Sequence, residues 1–250
     1  MQAKIYIVSL KDACERRRLI SQQLDQLPLA YEFVDAVDLR GVGKDAIDSS
    51  LIAKNLPLSG PEIGCALSHR AIYELMTRDN VPVAIVLEDD VTLLPGFGDL
   101  CRSALEIDAT FGGVVILGGQ EDAQGEYRQF FCRRRKFNLG RVQVRKAFMC
   151  DDRIKRTCCY MITLATARRL LQATTPISCA ADEWQTLRKL NGHGGLWMTF
   201  PKVAAHPRFL EGQSTIESTR GRTQSKRVSS LVAIRQHAAD AFRMLGGSLC

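Results

Sequence analysis

The chain has 250 residues, of which 46% are hydrophobic and 24% charged. That balance supplies a packed core, excludes wholesale disorder, and has room for one large α/β domain or one domain with a small appendage. The formal net charge of +7 fits a polyanionic partner, whether nucleic acid, anionic lipid or a phosphorylated substrate.

The longest apolar run, Val81 to Leu87, is far short of the roughly 20 residues that cross a bilayer. The start, Met1-Gln2-Ala3-Lys4-Ile5, lacks the apolar region and cleavage site of a signal peptide. The expected location is therefore cytoplasmic. Nine cysteines, an odd number with no C-x-x-C pair, read as thiols in a reducing compartment rather than as a disulfide framework or a zinc site.

In chain order, Lys4 to Leu10 is a short run rich in β-branched residues and predicts a strand. Asp12 to Leu27 follows with Leu19, Ile20, Leu24 and Leu27 at helical spacing. Tyr31 to Val37 predicts a second strand, so the chain opens as a βαβ unit with parallel strands. Leu39 to Pro57 is polar and loop-like. Ser59 and Glu62 then form a capping-box pattern, and Ile63, Leu67, Ala71, Ile72, Leu75 and Met76 mark the buried face of the helix it starts. Val83 to Leu87 is apolar throughout, as expected of a central strand covered on both faces. A helix is expected over Leu100 to Phe111 and a buried strand over Gly113 to Leu117.

Gln120 to Arg156 breaks this rhythm with Arg128, Arg133, Arg134, Arg135, Lys136, Arg141, Arg145 and Lys146; it reads as a basic insert beside the sheet. Cys158 to Thr163 predicts a returning strand, Thr166 to Ala173 a helix, and Thr199 to Ala205 a last strand. From about Arg208 the chain is polar and basic. It ends in a helical stretch, Ser229 to Leu245, whose apolar stripe and arginines suit either an anionic bilayer or the domain's own surface.

The main chemical signal is Glu88-Asp89-Asp90, directly after the apolar strand. Carboxylates at the carboxyl edge of a sheet lie where ligands bind in open α/β folds. Residues 88 and 90 alternate to one side, and two carboxylates so placed suit a hard divalent cation that grips a diphosphate. The bland alternative is a solvated acidic turn.

Four segments, in order, resemble glycosyltransferase family 25. They are Ile7-Val8-Ser9-Leu10 with Glu15-Arg16-Arg17, Phe33-Val34-Asp35-Ala36-Val37-Asp38, Glu62-Ile63-Gly64-Cys65-Ala66-Leu67-Ser68-His69, and Ala84 to Val91. A fainter likeness continues through Tyr160 to Thr163, Ala181-Asp182-Glu183 and Ser214 to Glu217. The resemblance implies a GT-A-like, Rossmann-type mixed sheet flanked by helices, with residues 1–207 as catalytic domain and 208–250 as a basic extension packed on the domain or on membrane. It implies an inverting transfer of galactose from UDP-galactose to a lipopolysaccharide-type glycan, dependent on Mn2+ or Mg2+. UDP-glucose or a UDP-N-acetylhexosamine is the alternative donor.

By the same resemblance, Asp90 and Glu88 bind metal, and His206, after the last expected strand, is a further ligand. Asp182 is the expected base, with Glu183 in reserve; otherwise Asp182 N-caps a helix running to Leu190. Ser9, Leu10, Arg16 (or Arg17), Asp38, Gly64, Ser68, His69 and Asp89 are the expected donor-binding residues. Arg16 or Arg17 pairs with phosphate, and Asp38 either meets a ribose hydroxyl or sits in a turn. The expected partners are a UDP-sugar, a glycan or glycolipid acceptor and an anionic membrane surface on the inner face of the cytoplasmic membrane. A non-catalytic, basic nucleotide- or nucleic-acid-binding protein is the competing reading, but no helix-turn-helix, zinc or single-strand-binding motif accompanies the charge.

Overall fold

The computed structural model describes residues 3–120, 131–148 and 151–206. The chain opens with strand β1 (Lys4–Ser9), helix α1 (Cys14–Asp25) and strand β2 (Tyr31–Asp35), and β2 lies parallel to β1. Helix α2 (Gly60–Arg78) leads into β3 (Val83–Glu88), parallel to β1 on its other side. The capping box expected at the start of α2 is formed: the Ser59 backbone N–H donates to Glu62 at 2.9 Å, and both halves of the motif are present.

Period-two alternation divides the core. Ile5, Ile7, Ile85 and Leu87 pack with Ile20 and Leu24 of α1 on one face of the sheet. Tyr6, Val8, Ala84 and Val86 pack with Ile72, Tyr73 and Met76 of α2 on the other. Both faces being covered explains why β3 reads as an unbroken apolar run. Each of the buried Ile, Leu, Val and Met side chains contributes about 1.5–3 kcal/mol.

Beyond β3 come β4 (Thr92–Leu93), α3 (Phe97–Ser103), β5 (Val114–Ile116), β6 (Phe131–Leu139), β7 (Val142–Ala147), β8 (Cys159–Thr163), α4 (Leu164–Ala173), α5 (Trp184–Lys189), β9 (Leu196–Phe200) and β10 (Ala204–Ala205). The main sheet runs β2-β1-β3-β8-β5-β9-β7-β6. Strand β8 is antiparallel to β3 and β5, β9 is parallel to β5, and β7 is antiparallel to β9 and β6. This is the mixed α/β sheet with flanking helices that the family resemblance implies. Strands β4 and β10 form a separate antiparallel pair, Ala204 opposite Leu93 and Ala205 opposite Thr92.

Several local expectations are corrected. The described part of the basic insert does not sit beside the sheet; it is the hairpin β6–β7 and extends the sheet as its last two strands. The helix expected over Leu100 to Phe111 is α3 followed by a short 3-10 turn, Ala104–Glu106. The last expected strand is two strands, because Pro201 and Lys202 interrupt it between β9 and β10. Cys132 is disulfide-bonded, so the all-thiol reading fails there, while Cys14, Cys101, Cys158 and Cys179 are free. Among the described residues no helix is long and apolar enough to cross a membrane. The stretch Ser229 to Leu245 lies outside the described residues, as does Arg128.

Candidate active site at the strand ends

Because β2, β1 and β3 are parallel, Asp35, Ser9 and Glu88 end at the same edge of the sheet. A cleft of about 130 Å³ opens there, walled by Ser9, Leu10, Arg16, Asp38, Ser68, His69, Glu88, Asp89 and Asp90, among others. Its position at the carboxyl ends of parallel strands is the usual ligand site of open α/β sheets. Gly64, Asp182, Glu183 and His206 are not on its wall.

Asp89 ties the acidic turn to β1. It accepts a hydrogen bond of 2.6 Å from the Ser9 hydroxyl, and Arg16 Nε lies 3.4 Å from its other oxygen. Burial pushes the Asp89 carboxyl above the usual carboxylate range, against the pull of the Ser9 hydrogen bond and Arg16; the charges of Asp90 and Glu88 add to the rise. Arg17, the other candidate for phosphate, is held by the fold. It donates to the Ser9 hydroxyl, to the carbonyls of Ser9 and Leu10, and to Asp35 at 2.5 Å. Arg16 is the arginine of this pair on the cleft wall.

Gly64 and Ser68 act on the chain that follows β2. A Cβ at Gly64 would stand 2.5 Å from the Val37 carbonyl oxygen, so only glycine lets that loop rest on α2. The Ser68 hydroxyl accepts from the Val37 N–H at 2.9 Å and donates to the Gly64 carbonyl at 2.6 Å. Together they seat Asp38 at the rim. Arg40 donates to Asp38 through its backbone N–H, Nε and Nη2, which holds the Asp38 carboxyl down to about 2. Asp38 is thus a turn residue and a cleft residue at once.

Glu88 accepts from the Thr157 hydroxyl at 2.8 Å and lies 3.7 Å from His69 Nε2. His69 is buried, with Nδ1 2.9 Å from the Tyr160 hydroxyl. Asp90 faces the other way in the chain: its Oδ2 is 3.5 Å from His206 Nε2, and both side chains are 8% exposed. The β4–β10 pair brings this about, since Thr92 stands opposite Ala205 and so brings Asp90 and His206 together. Asp90 Oδ1 is buried with no hydrogen-bond partner among the described residues. A carboxylate oxygen left in that state costs free energy unless a cation completes it.

Asp182 accepts from the Arg156 backbone N–H at 3.1 Å. Arg156 has a positive φ of 63°, and its guanidinium also donates to the Gly119 carbonyl at 3.0 Å. The next residue, Thr157, holds Glu88, so two adjacent residues link Asp182 to the acidic turn. Glu183, not Asp182, occupies the N-cap position of α5, and its carboxylate accepts from the Thr186 hydroxyl at 3.2 Å. Trp184 is fully buried and belongs to the core. The sequence reading missed Thr157, which no motif marks, and Cys65, which the four-residue step to His69 on one helix marks as its face-mate.

Residues 2–185 match the model of glycosyltransferase family 25, described as LPS biosynthesis protein. A putative glycosyltransferase of Haemophilus influenzae is 25% identical over 71% of this chain and 60% of its own length. The lipooligosaccharide biosynthesis protein lic2B of Haemophilus influenzae is 30% identical over 35% of this chain and 34% of its own. Procollagen galactosyltransferase 1-A of Xenopus laevis is 31% identical over 35% of this chain and 16% of its own. The chain therefore spans 60% or less of the length of these relatives. With its family match running from the first strand into α5, the chain belongs to glycosyltransferase family 25.

Proposed function

We propose that the protein is an inverting galactosyltransferase that moves galactose from UDP-galactose to a hydroxyl of a lipopolysaccharide- or lipooligosaccharide-type glycan. Family membership supports the class of reaction, and the printed names of lic2B and of the procollagen galactosyltransferase support the sugar and the acceptor. The observation that carries a metal-dependent reading is the buried, half-satisfied Asp90 carboxylate beside His206. A carboxylate paired with one imidazole, facing the oxygens of a diphosphate, suits Mn2+ or Mg2+. Asp90 and His206 would hold that cation, whereas Glu88, the other expected ligand, turns to Thr157 and His69; a cation there would neutralise charge on the departing diphosphate.

The remaining chemistry belongs to the chain's own side chains. Arg16, on the cleft wall, pairs with a phosphate oxygen. Asp38, held low by Arg40, is an ionised acceptor for a ribose hydroxyl at neutral pH. Ser9 and Leu10, also on the cleft wall, would meet the uridine of the donor. Asp182, oriented by the Arg156 N–H, takes the proton of the acceptor hydroxyl as that oxygen attacks the anomeric carbon and the UDP oxygen leaves. Arg133, Arg134, Arg135 and Lys136, all exposed on β6, offer an anionic glycolipid a row of cations. The test is hydrolysis of UDP-galactose, UDP-glucose, UDP-N-acetylglucosamine and GDP-mannose with Mn2+. UDP-galactose should be consumed fastest and chelation should stop it; a preference for GDP-mannose, or indifference to chelation, would sink the reading.

A further inference from the structure

Cys65 and His69 lie one turn apart on α2, and Glu88 ends β3 against them. The Cys65 thiol, a His69 ring nitrogen and a Glu88 carboxylate oxygen all lie within 4.8 Å of one another. His69 is 1% exposed, and its Nε2 has no hydrogen-bond partner among the described residues while lying 3.7 Å from Glu88 Oε1. Its Nδ1 lies 2.9 Å from the Tyr160 hydroxyl, which in turn lies 3.3 Å from the Tyr73 hydroxyl. In the tautomer in which Nδ1 donates to the Tyr160 hydroxyl, Nε2 presents a bare lone pair to a carboxylate. Two lone pairs facing each other, one of them on a buried imidazole, repel unless a cation or a proton stands between them. An imidazole held from behind through its second nitrogen is also the common setting of a metal-binding histidine.

We propose that Cys65, His69 and Glu88 form a site for a thiophilic divalent cation of the zinc class, separate from the Asp90–His206 pair. One sulfur, one nitrogen and one oxygen ligand with a fourth position open to the cleft is a coordination set that zinc accepts. A tetrahedral cation about 2.1 Å from both nitrogen and oxygen holds them about 3.4 Å apart, close to the 3.7 Å observed. Mn2+ and Mg2+ prefer oxygen, so the thiol separates this site from the other by softness. The proposal concerns metal binding alone and stands or falls apart from the transferase reading.

The experiment uses the full chain, stripped with chelator and titrated with Co2+, then with Zn2+. We expect one cobalt per chain to give a thiolate-to-cobalt charge-transfer band in the near ultraviolet, displaced by zinc. Cys65→Ser should abolish the band, and His69→Gln should lower zinc affinity by more than the tenfold or so typical of losing a supporting contact. Asp90→Asn should keep the band. Circular dichroism checks that each variant is folded, and Glu88→Gln, with its expected loss of affinity, replaces any variant that is not. No band, a band that survives Cys65→Ser, or zinc binding equal in parent and variants would overturn the proposal. In that case a proton on His69 Nε2 shared with Glu88 explains the geometry.

Discussion

Ser68→Ala should loosen the loop that carries Asp38. The hydroxyl is buried and serves two groups, accepting from the Val37 N–H at 2.9 Å and donating to the Gly64 carbonyl at 2.6 Å. The carbonyl loses little, because its helical partner remains. The N–H loses its acceptor, a change worth about 1–3 kcal/mol when the group stays dry. Val37 is 38% exposed, so water can partly replace the hydroxyl, and the lower half of that range, about 1–2 kcal/mol, applies. For a chain of this size that corresponds to a Tm lower by about 2–8 °C. Gly64→Ala provides the second arm. Its Cβ would sit 2.5 Å from the Val37 oxygen, against an ordinary contact of about 3.3 Å, so the loop must retreat by about 0.8 Å. Both variants should raise the donor KM more than they lower kcat, and their effects should not add, since each displaces the same loop. Thermal unfolding followed by donor kinetics makes the check. A Ser68→Ala protein with unchanged Tm and unchanged donor KM would refute the idea that this clamp positions Asp38.

Other outcomes follow from the same geometry. Asp182→Asn should preserve UDP binding by calorimetry while lowering transfer about 100-fold or more; an equal loss of donor affinity would point to folding or donor binding instead, and a larger kinetic loss in Glu183→Gln would move the base to its neighbour. Asp89 has a carboxyl pushed up in the fold, so protonation favours the native state and stability is lost as pH rises from the ordinary value of 3.8 through the raised one. Relative to the parent, Asp89→Asn should therefore gain stability over that window in urea titrations, and a parent that gains on the variant as pH rises contradicts the sign. Gly119→Ala should lose about 1–3 kcal/mol, because glycine there has φ of +80° and a Cβ would run into the Cys158 sulfur; unaltered stability would mean that this turn has slack.

The parts of the fold that were legible in sequence are those governed by local patterning. The apolar runs of β1, β3 and β8, and the Ser59–Glu62 capping box, each carry their own signal, and the structure forms them within a residue or two. The basic hairpin was misread for a physical reason. Strand β6 has one neighbour and buries only Cys132 and Leu139, so its exposed Arg133 to Lys136 erase the alternation by which strands are recognised. The β9–β10 break goes unmarked because Leu196 to Phe200 and Val203 to Ala205 are both largely apolar, and the strand change between them depends on Pro201 and on pairing with distant β4.

At the site, sequence pattern placed the acidic turn at the carboxyl edge of the sheet, while the loop after β1 entered through the family resemblance. It did not show how the three carboxylates divide. Glu88 turns to Thr157 and His69, Asp89 to Ser9 and Arg16, and Asp90 to His206. Those partners come from segments up to 116 positions away in the chain, and alternation along one strand cannot choose among them. Gly64 and Ser68 likewise read as a small helical face, and the structure shows the loop that the face receives.

The central claim is that Asp90, with His206, holds a divalent cation on which donor binding depends. The most direct measurement is calorimetric titration of UDP into parent, Asp90→Asn and His206→Ala proteins, each with and without Mn2+. The account predicts that Mn2+ tightens UDP binding to the parent markedly, that Asp90→Asn abolishes the tightening, and that His206→Ala reduces it. Asp90→Asn protein that binds UDP in Mn2+ as tightly as the parent would contradict it.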